Sequence, residues 1–301
     1  MDTLLLHFDD EARAAQRLAL AAGLPAAVIE RHRFPDQELR LRLPLPSGDR
    51  LPAQVVLFRG LERPNEKLVE LLLLARGARS LGAQRLILVA PYLAYMRQDC
   101  AFHRGEVVSQ RVVGDFIASL FDALITIDPH LHRVSSLQAA VPLSEALSLS
   151  AAPLLASLIA HRRHDPLLLG PDAESAQWVG AAAAAQGLDW AVCAKQRQGD
   201  REVVVALPSQ PVQGRAVVLL DDVLSTGHTL AQASLLLHAA GAASVDVAVT
   251  HALFAEGALQ ALRQAGVGEV WSTDCIAHSS NVVSVMPLLA AALQTLIAPA
   301  C

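Results

Sequence analysis

Two adjacent acids, Asp221-Asp222, close a run of apolar residues, and a hydroxyl-rich segment, Ser225-Thr226-Gly227-His228-Thr229, follows at once. The run 217–220 reads as a buried strand that carries both carboxylates to the edge of a sheet, and the Ser/Thr segment reads as the loop that opens a helix. Loop amides and a helix N-terminus favour an anion, and Ser225, Thr226 and Thr229 add hydroxyl donors. Carboxylates repel a phosphate held close by. Their place beside such a loop suits sugar hydroxyls or a bridging Mg2+, with the phosphate in the loop. A bare Asp-Asp before a helix reads as capping; the complete apolar-Asp-Asp-x-x-Ser-Thr-Gly-x-Thr string points past capping to an anion site.

In parallel sheets, ligands bind beyond the carboxyl ends of the strands. The polar residues that follow other apolar runs are therefore the next candidates. Arg97-Gln98-Asp99 follows 85–90, His130 follows 123–127, Asp172 follows 166–169, and Lys195 with Arg197 follows 190–194. His132 is an alternative to His130. The runs alternate with helix-like stretches at 65–81, 107–120, 176–186 and 229–240, and further strands are expected at 55–59, 244–250 and 269–272. The pattern β-α-β-α-β, met twice, predicts an α/β fold with parallel sheets. The stretch 144–160 is expected to connect two halves, 1–148 and 149–301.

Composition sets outer limits. The chain has 301 residues, 53% hydrophobic and 18% charged, which excludes a disordered chain. Aromatics are only 4%, so the cores must be built from Ala, Leu and Val. Mean hydropathy is high at +0.37. Even so, no stretch of ~18 residues runs uninterrupted by charge or strong polarity, so no membrane span is expected. Net charge is −5, with no basic surplus to suit a nucleic-acid partner. Four scattered cysteines without metal-ligand spacing read as thiols of a reducing compartment. The acidic start, Asp9-Asp10-Glu11, differs from a secretory leader. A cytoplasmic location is expected.

The string 217–230 resembles the signature of proteins that bind 5-phosphoribosyl diphosphate, namely the type I phosphoribosyltransferases and the ribose-phosphate diphosphokinases. Further segments single out the second family. Arg33-Phe-Pro-Asp-Gln-Glu38 resembles its adenine-binding loop, and Pro91-Tyr-Leu-Ala-Tyr-Met-Arg-Gln-Asp99 its Pro-Tyr-x-x-Tyr-x-Arg-Gln-Asp segment. Phe102–Arg111 is similar to the segment that follows. Thr126-Ile-Asp-Pro-His130 resembles its metal segment, Gly170-Pro-Asp172 its Ser-Pro-Asp, and Lys195-Gln-Arg197 the Lys-x-Arg of its catalytic loop.

The resemblance implies two tandem type I phosphoribosyltransferase-like (Rossmann-like) domains with central parallel sheets. It implies Mg2+-dependent transfer of the β,γ-diphosphoryl group of ATP to ribose 5-phosphate, giving AMP and 5-phosphoribosyl 1-diphosphate. Lys195 and Arg197 would neutralise the transferring group. Phe34, Asp36, Glu38, Arg97, Gln98, Asp99 and His130 would bind ATP, with Phe34 against the purine. Asp221, Asp222, Ser225, Thr226, Gly227, His228 and Thr229 would bind ribose 5-phosphate, and His130 and Asp172 would face the metal. Self-association into a dimer or larger homo-oligomer is also implied.

Some positions depart from the pattern. Gln37 stands where the family usually has Gly, and Glu174 and Trp178 stand near the expected sugar site, where glycine and arginine are usual. Three other readings remain: a non-catalytic regulatory homologue, a phosphoribosyltransferase, and a diphosphokinase for another phosphorylated pentose.

Overall fold

The computed structural model describes residues 2–45, 48–198 and 202–298. The chain divides into two compact units: Met1–Leu149 together with the segment after Ser284, and Ser150–Ser284.

In the first unit the chain runs β1 (Thr3–His7), α1 (Ala12–Ala22), β2 (Ala26–Val28), β3 (Glu30–Arg33), β4 (Leu39–Arg42), β5 (Gln54–Phe58), α2 (Pro64–Ser80), β6 (Arg85–Ala90), α3 (Ser109–Leu120), β7 (Ala123–Ile127), α4 (Leu137–Ala140) and β8 (Glu145–Leu149). Among the described residues its main sheet has the order β2-β1-β5-β6-β7-β8, and every pairing is parallel. Strands β1, β5 and β7 are buried along their whole length. A parallel sheet covered on both faces produces this signature, and it accounts for the unbroken Leu/Val/Ile runs. α1 buries Ala15, Leu18, Ala19 and Ala22, one stripe at helical spacing, and stops at Gly23 with φ 70°. β3 and β4 form a separate antiparallel hairpin, with Arg33 opposite Leu39.

The second unit runs α5 (Ala152–Arg162), β9 (Leu167–Gly170), α6 (Ala176–Gln186), β10 (Trp190–Val192), β11 (Ala194–Gln198), β12 (Glu202–Ala206), β13 (Ala216–Leu224), α7 (His228–Ala239), β14 (Ser244–Ala252), α8 (Ala258–Gln264), β15 (Val270–Thr273) and β16 (Asn281–Val283). Its parallel sheet has the order β10-β9-β13-β14-β15-β16. Strand alternation sorts its side chains into two cores. Leu167, Leu169, Val217 and Leu219 pack with Leu230 and Leu237 of α7 and Leu262 of α8. Leu168, Val218 and Leu220 pack with Leu155 and Ile159 of α5 and Val179 of α6.

Several sequence expectations shift. The stretch 144–160 is no linker: it forms β8 and most of α5. The second half was expected to extend from 149 to 301, yet the last helix, α9 (Met286–Ile297), joins the first unit. It packs on α1 and beside β7 and β8, and Gln294 Nε2 donates to the carbonyl of Ala22 at 3.4 Å. An apolar helix fits any uncovered sheet face, so sequence pattern does not show which face it covers. Among the described residues no helix is long and apolar enough to cross a membrane.

Candidate active site

The candidate residues divide between the two units. In the second unit, β13 does not stop at Leu220. Its pairing with β14 continues through Asp221↔Val249 to Leu224↔Ala252, so both acids lie inside the strand rather than after it. Backbone ladder bonds are indifferent to side-chain polarity, which is why the hydrophobic pattern ends before the strand does. The Asp222 N–H donates to Asp221 Oδ1 at 3.0 Å. Burial, reinforced by the negative charges of Asp222 and Asp172, pushes the Asp221 carboxyl well above the usual carboxylate range. Three carboxylates thus share one neighbourhood at the end of β9 and β13.

After Leu224 the chain turns through Ser225 and Thr226 to Gly227, whose φ of 75° favours glycine. α7 begins at His228, one residue before the expected start. The Ser225 carbonyl is fixed by the Ala255 N–H at 3.0 Å. Thr226 and His228 are exposed at this helix entrance and Thr229 is half-buried. Asp172 caps the short turn after β9: its Oδ1 accepts from the N–H groups of Glu174 and Ser175 at 3.0 and 3.2 Å. Gly170 is required there, because a Cβ would meet Ser175 Oγ at 2.2 Å. Trp178 is buried in α6.

Lys195 and Arg197 stand on β11, in register with Val205 and Val203 of β12. Their side chains, and residues 199–201, lie outside the described residues.

In the first unit, Phe34 to Glu38 form the tip of the β3–β4 hairpin. The Phe34 N–H donates to the Glu38 carbonyl and the Gln37 N–H to the Phe34 carbonyl, both at 2.9 Å. Asp36 Oδ1 accepts from the Glu38 N–H at 3.2 Å. Gln37 adopts φ 76°, a left-handed conformation that a glycine would take without strain. Phe34 is 38% exposed, with the His32 ring edge-on at 4.8 Å.

The edges of β6 and β7 meet through Asp99. Its buried carboxylate accepts from Arg133 Nη1 at 2.7 Å and from the Arg133 N–H at 3.2 Å. Burial alone would raise its pKa, but the Arg133 hydrogen bonds and charge hold it below the usual value. Gln98 Oε1 accepts from Ser109 Oγ at 2.6 Å, at the start of α3. Arg97 is exposed. The His130 and His132 rings lie side by side, 3.8 Å between centroids. Asp99 and the His130 loop therefore come together. Among the described residues no hydrogen bond or ion pair joins Phe34, Asp36 or Glu38 to either of them.

Sequence reasoning missed the ionic cluster that anchors the hairpin. Arg59 directly follows β5 and is 1% exposed. It donates to Asp10 at 2.8 Å, to Glu11 at 2.7 Å and to Glu70 of α2. Its guanidinium lies 4.5 Å from the centre of the Phe8 ring. Glu70 also accepts from Arg31 of β3, while Arg33 pairs with Glu66 at 2.7 Å. The signal was available: Arg59 is a charged residue at the end of an apolar strand, the same rule that singled out His130.

Comparison with known proteins bears on both units. The family model described as the N-terminal domain of ribose phosphate pyrophosphokinase matches residues 3–120, and the phosphoribosyl transferase domain model matches 144–283. The chain is 33% identical over 297 residues to a ribose-phosphate pyrophosphokinase of Methanopyrus kandleri, covering 97% of this chain and 99% of that protein. A protein of the same description from Thermococcus kodakarensis is 32% identical, covering 94% and 95%. The fold matches a crystal structure of phosphoribosylpyrophosphate synthetase from Mycobacterium smegmatis with a TM-score of 0.83 at 23% identity, over 98% and 99% of the two chains. Two parallel-sheet units, an Asp pair running into a Gly-turned helix start, and similarity along nearly the whole length together show that this chain belongs to the ribose-phosphate pyrophosphokinase family.

Proposed function

We propose that the chain is a ribose-phosphate diphosphokinase that makes 5-phosphoribosyl 1-diphosphate for nucleotide synthesis in the cytoplasm. The 1-hydroxyl oxygen of ribose 5-phosphate bonds to the β-phosphorus of ATP. The bond from that phosphorus to the α,β-bridging oxygen breaks, AMP leaves with that oxygen, and the hydroxyl proton is released. One observation carries the reading: β13 holds Asp221 and Asp222 in its last paired stretch, and the left-handed Gly227 turns the chain directly into α7. Amides at this helix start suit the 5-phosphate, with Ser225, Thr226 and Thr229 as hydroxyl donors, and the Asp pair suits the ribose hydroxyls.

Diphosphoryl transfer depends on positioning and on neutralising charge. Lys195 and Arg197 are assigned to the transferring group, Arg97 to the polyphosphate and Phe34 to the adenine face. Asp36 and Glu38 flank that ring, Gln98 and Asp99 order the loop beside it, and Gly227 and His228 complete the phosphate loop. Hard divalent cations take carboxylate oxygens, and Asp172, at the turn after β9, can offer one. Asp172 and His130 are the residues proposed to face Mg2+, each within its own unit. The bound ion would neutralise polyphosphate oxygens. Self-association is part of the proposal and is supported by the exposed apolar face of α2, where Val69, Leu72 and Leu73 meet solvent.

The test is direct. The protein is incubated with Mg2+, ATP and ribose 5-phosphate, and AMP and the diphosphate product are followed. Product is expected, with Lys195→Ala reducing kcat by about 10^3-fold or more and leaving ribose 5-phosphate binding nearly unchanged. Ligand binding without AMP would point to a regulatory homologue instead.

A further inference from the structure

The loop between β15 and β16, residues 274–280, lies at the carboxyl end of the second sheet and is closed by a run of side-chain hydrogen bonds. Asn281 sets their direction. Its Oδ1 accepts from the His278 N–H at 2.8 Å, and its Nδ2 donates to the Thr273 carbonyl at 2.6 Å and to Ser272 Oγ at 2.9 Å. Ser272 Oγ then donates to Ser280 Oγ, and Ser280 Oγ to His278 Nδ1, each at 2.7 Å. The Ser280 N–H also donates to Nδ1, at 3.2 Å. A backbone N–H can only donate, so Nδ1 is the bare nitrogen and the proton sits on Nε2. Ser272 and Thr273 are fully buried. A buried polar run is stable only when its members are paired, which favours a single closed form of the loop. What that form holds is the His278 imidazole, stacked on the Phe254 ring with 4.2 Å between centroids and 24° between planes.

Phe254 stands in the loop after β14, directly before the residue that touches the proposed phosphate loop. The Ala255 N–H donates to the Ser225 carbonyl at 3.0 Å, and the Ala255 carbonyl accepts from the Ala258 N–H at 3.1 Å. Ala258 and Leu262 of α8 lie against Gly227: a Cβ there would sit 3.6 Å from the Ala258 carbonyl oxygen and 3.5 Å from Leu262 Cγ. Residues 254–258 therefore back the entrance to α7 at both Ser225 and Gly227. We infer that His278 is a positioning residue for ribose 5-phosphate: its ring braces Phe254, and the brace holds Ala255 and Ala258 where they fix the backbone of Ser225 and Gly227. The inference rests on the assignment of that loop to the 5-phosphate. Loop amides hold an anion only as well as their own directions are held, so slack at Phe254 is felt at the phosphate as lost affinity.

Calorimetry reads this brace without any turnover. Ribose 5-phosphate is titrated into the full-length wild type, His278→Ala, His278→Phe and Ser280→Ala, and steady-state kinetics with ATP and Mg2+ are run beside it. His278→Ala should weaken ribose 5-phosphate roughly threefold to tenfold, the range set by one aromatic pair. It should raise the KM for ribose 5-phosphate more than it lowers kcat, with the KM for ATP unmoved. His278→Phe keeps a ring on Phe254 and should restore most of the affinity. Ser280→Ala unpins the imidazole without removing it, so it tests the same link even where His278→Ala costs too much stability; about a twofold to threefold loss is expected. Ribose 5-phosphate affinity unchanged in Ser280→Ala and in folded His278→Ala, or a loss that His278→Phe does not restore, would overturn the positioning role. Binding that weakens as expected in a protein that makes no AMP would support the brace and count against the diphosphokinase reading alone.

Discussion

Replacing Glu70 with alanine should destabilise the protein by about 3 kcal/mol. Glu70 and Arg59 are both 1% exposed, and Glu70 holds a second guanidinium, that of Arg31. Removing one member of a buried ion pair costs about 3–5 kcal/mol, chiefly because the remaining charge is stranded away from water. Arg59 keeps Asp10 and Glu11 at 2.8 and 2.7 Å, and Arg31 keeps Asp9 at 3.1 Å. Those remaining partners put the loss at the low end of the range. For a compact unit of this size each kcal/mol moves Tm by roughly 2–4 °C, so the drop should be about 6–12 °C. Scanning calorimetry on the ligand-free wild type, Glu70→Ala and Glu70→Gln checks this. Glutamine keeps an acceptor oxygen and should lose less. Because Arg31 tethers the hairpin that carries Phe34, Glu70→Gln should also raise the KM for ATP more than it lowers kcat. A fall in Tm of less than about 2 °C for Glu70→Ala would refute the argument, since the cluster would then be screened by solvent rather than buried.

Gln37→Gly should stabilise the protein by about 1 kcal/mol in urea unfolding, because it removes a left-handed non-glycine residue; a loss would mean that the 3.3 Å contact from Arg33 to Gln37 outweighs the backbone. Asp99 has its carboxyl held below the ordinary 3.8, so its contribution is complete above that pH and disappears as pH falls through the lower folded-state value. The stability gap between wild type and Asp99→Asn should therefore narrow on acidification, and a gap independent of pH would contradict this. Asp221→Asn relieves crowding among three carboxylates. It should raise the ligand-free Tm, equivalent to about 0.5–2 kcal/mol, while turnover collapses; a lower Tm would show that the carboxylate is needed for folding.

The parts of the fold that could be read from sequence are those where side-chain polarity and position are tightly coupled. β6, β7 and the first half of β13 lie in sheets covered on both faces, so their sequences are unbroken apolar runs. Gly227 and the Asp pair were visible because chain reversal and local chemistry confine them to few residue types. The β3–β4 hairpin escaped notice because it is docked by charge instead. Its anchors, Arg31 to Glu70 and Arg33 to Glu66, link residues 39 and 33 positions apart, and no local periodicity records such a pairing. The Arg133 grip on Asp99 was hidden for the same reason. The continuation of β13 to Leu224 was hidden because ladder bonds, not side chains, define a strand.

The return of α9 to the first unit has a consequence for synthesis of the chain. α1 turns Ala15, Leu18, Ala19 and Ala22 inward, and the helix that packs on it starts only at Met286. At about 5–20 residues per second, translating the intervening chain takes on the order of ten to fifty seconds. During that interval the second unit emerges from the ribosome whole and can close on its own contacts, while the first unit, begun earlier, still lacks a wall. The earliest part of the protein to be made is thus the last to be finished, and its open apolar flank is where a nascent-chain chaperone would find a foothold.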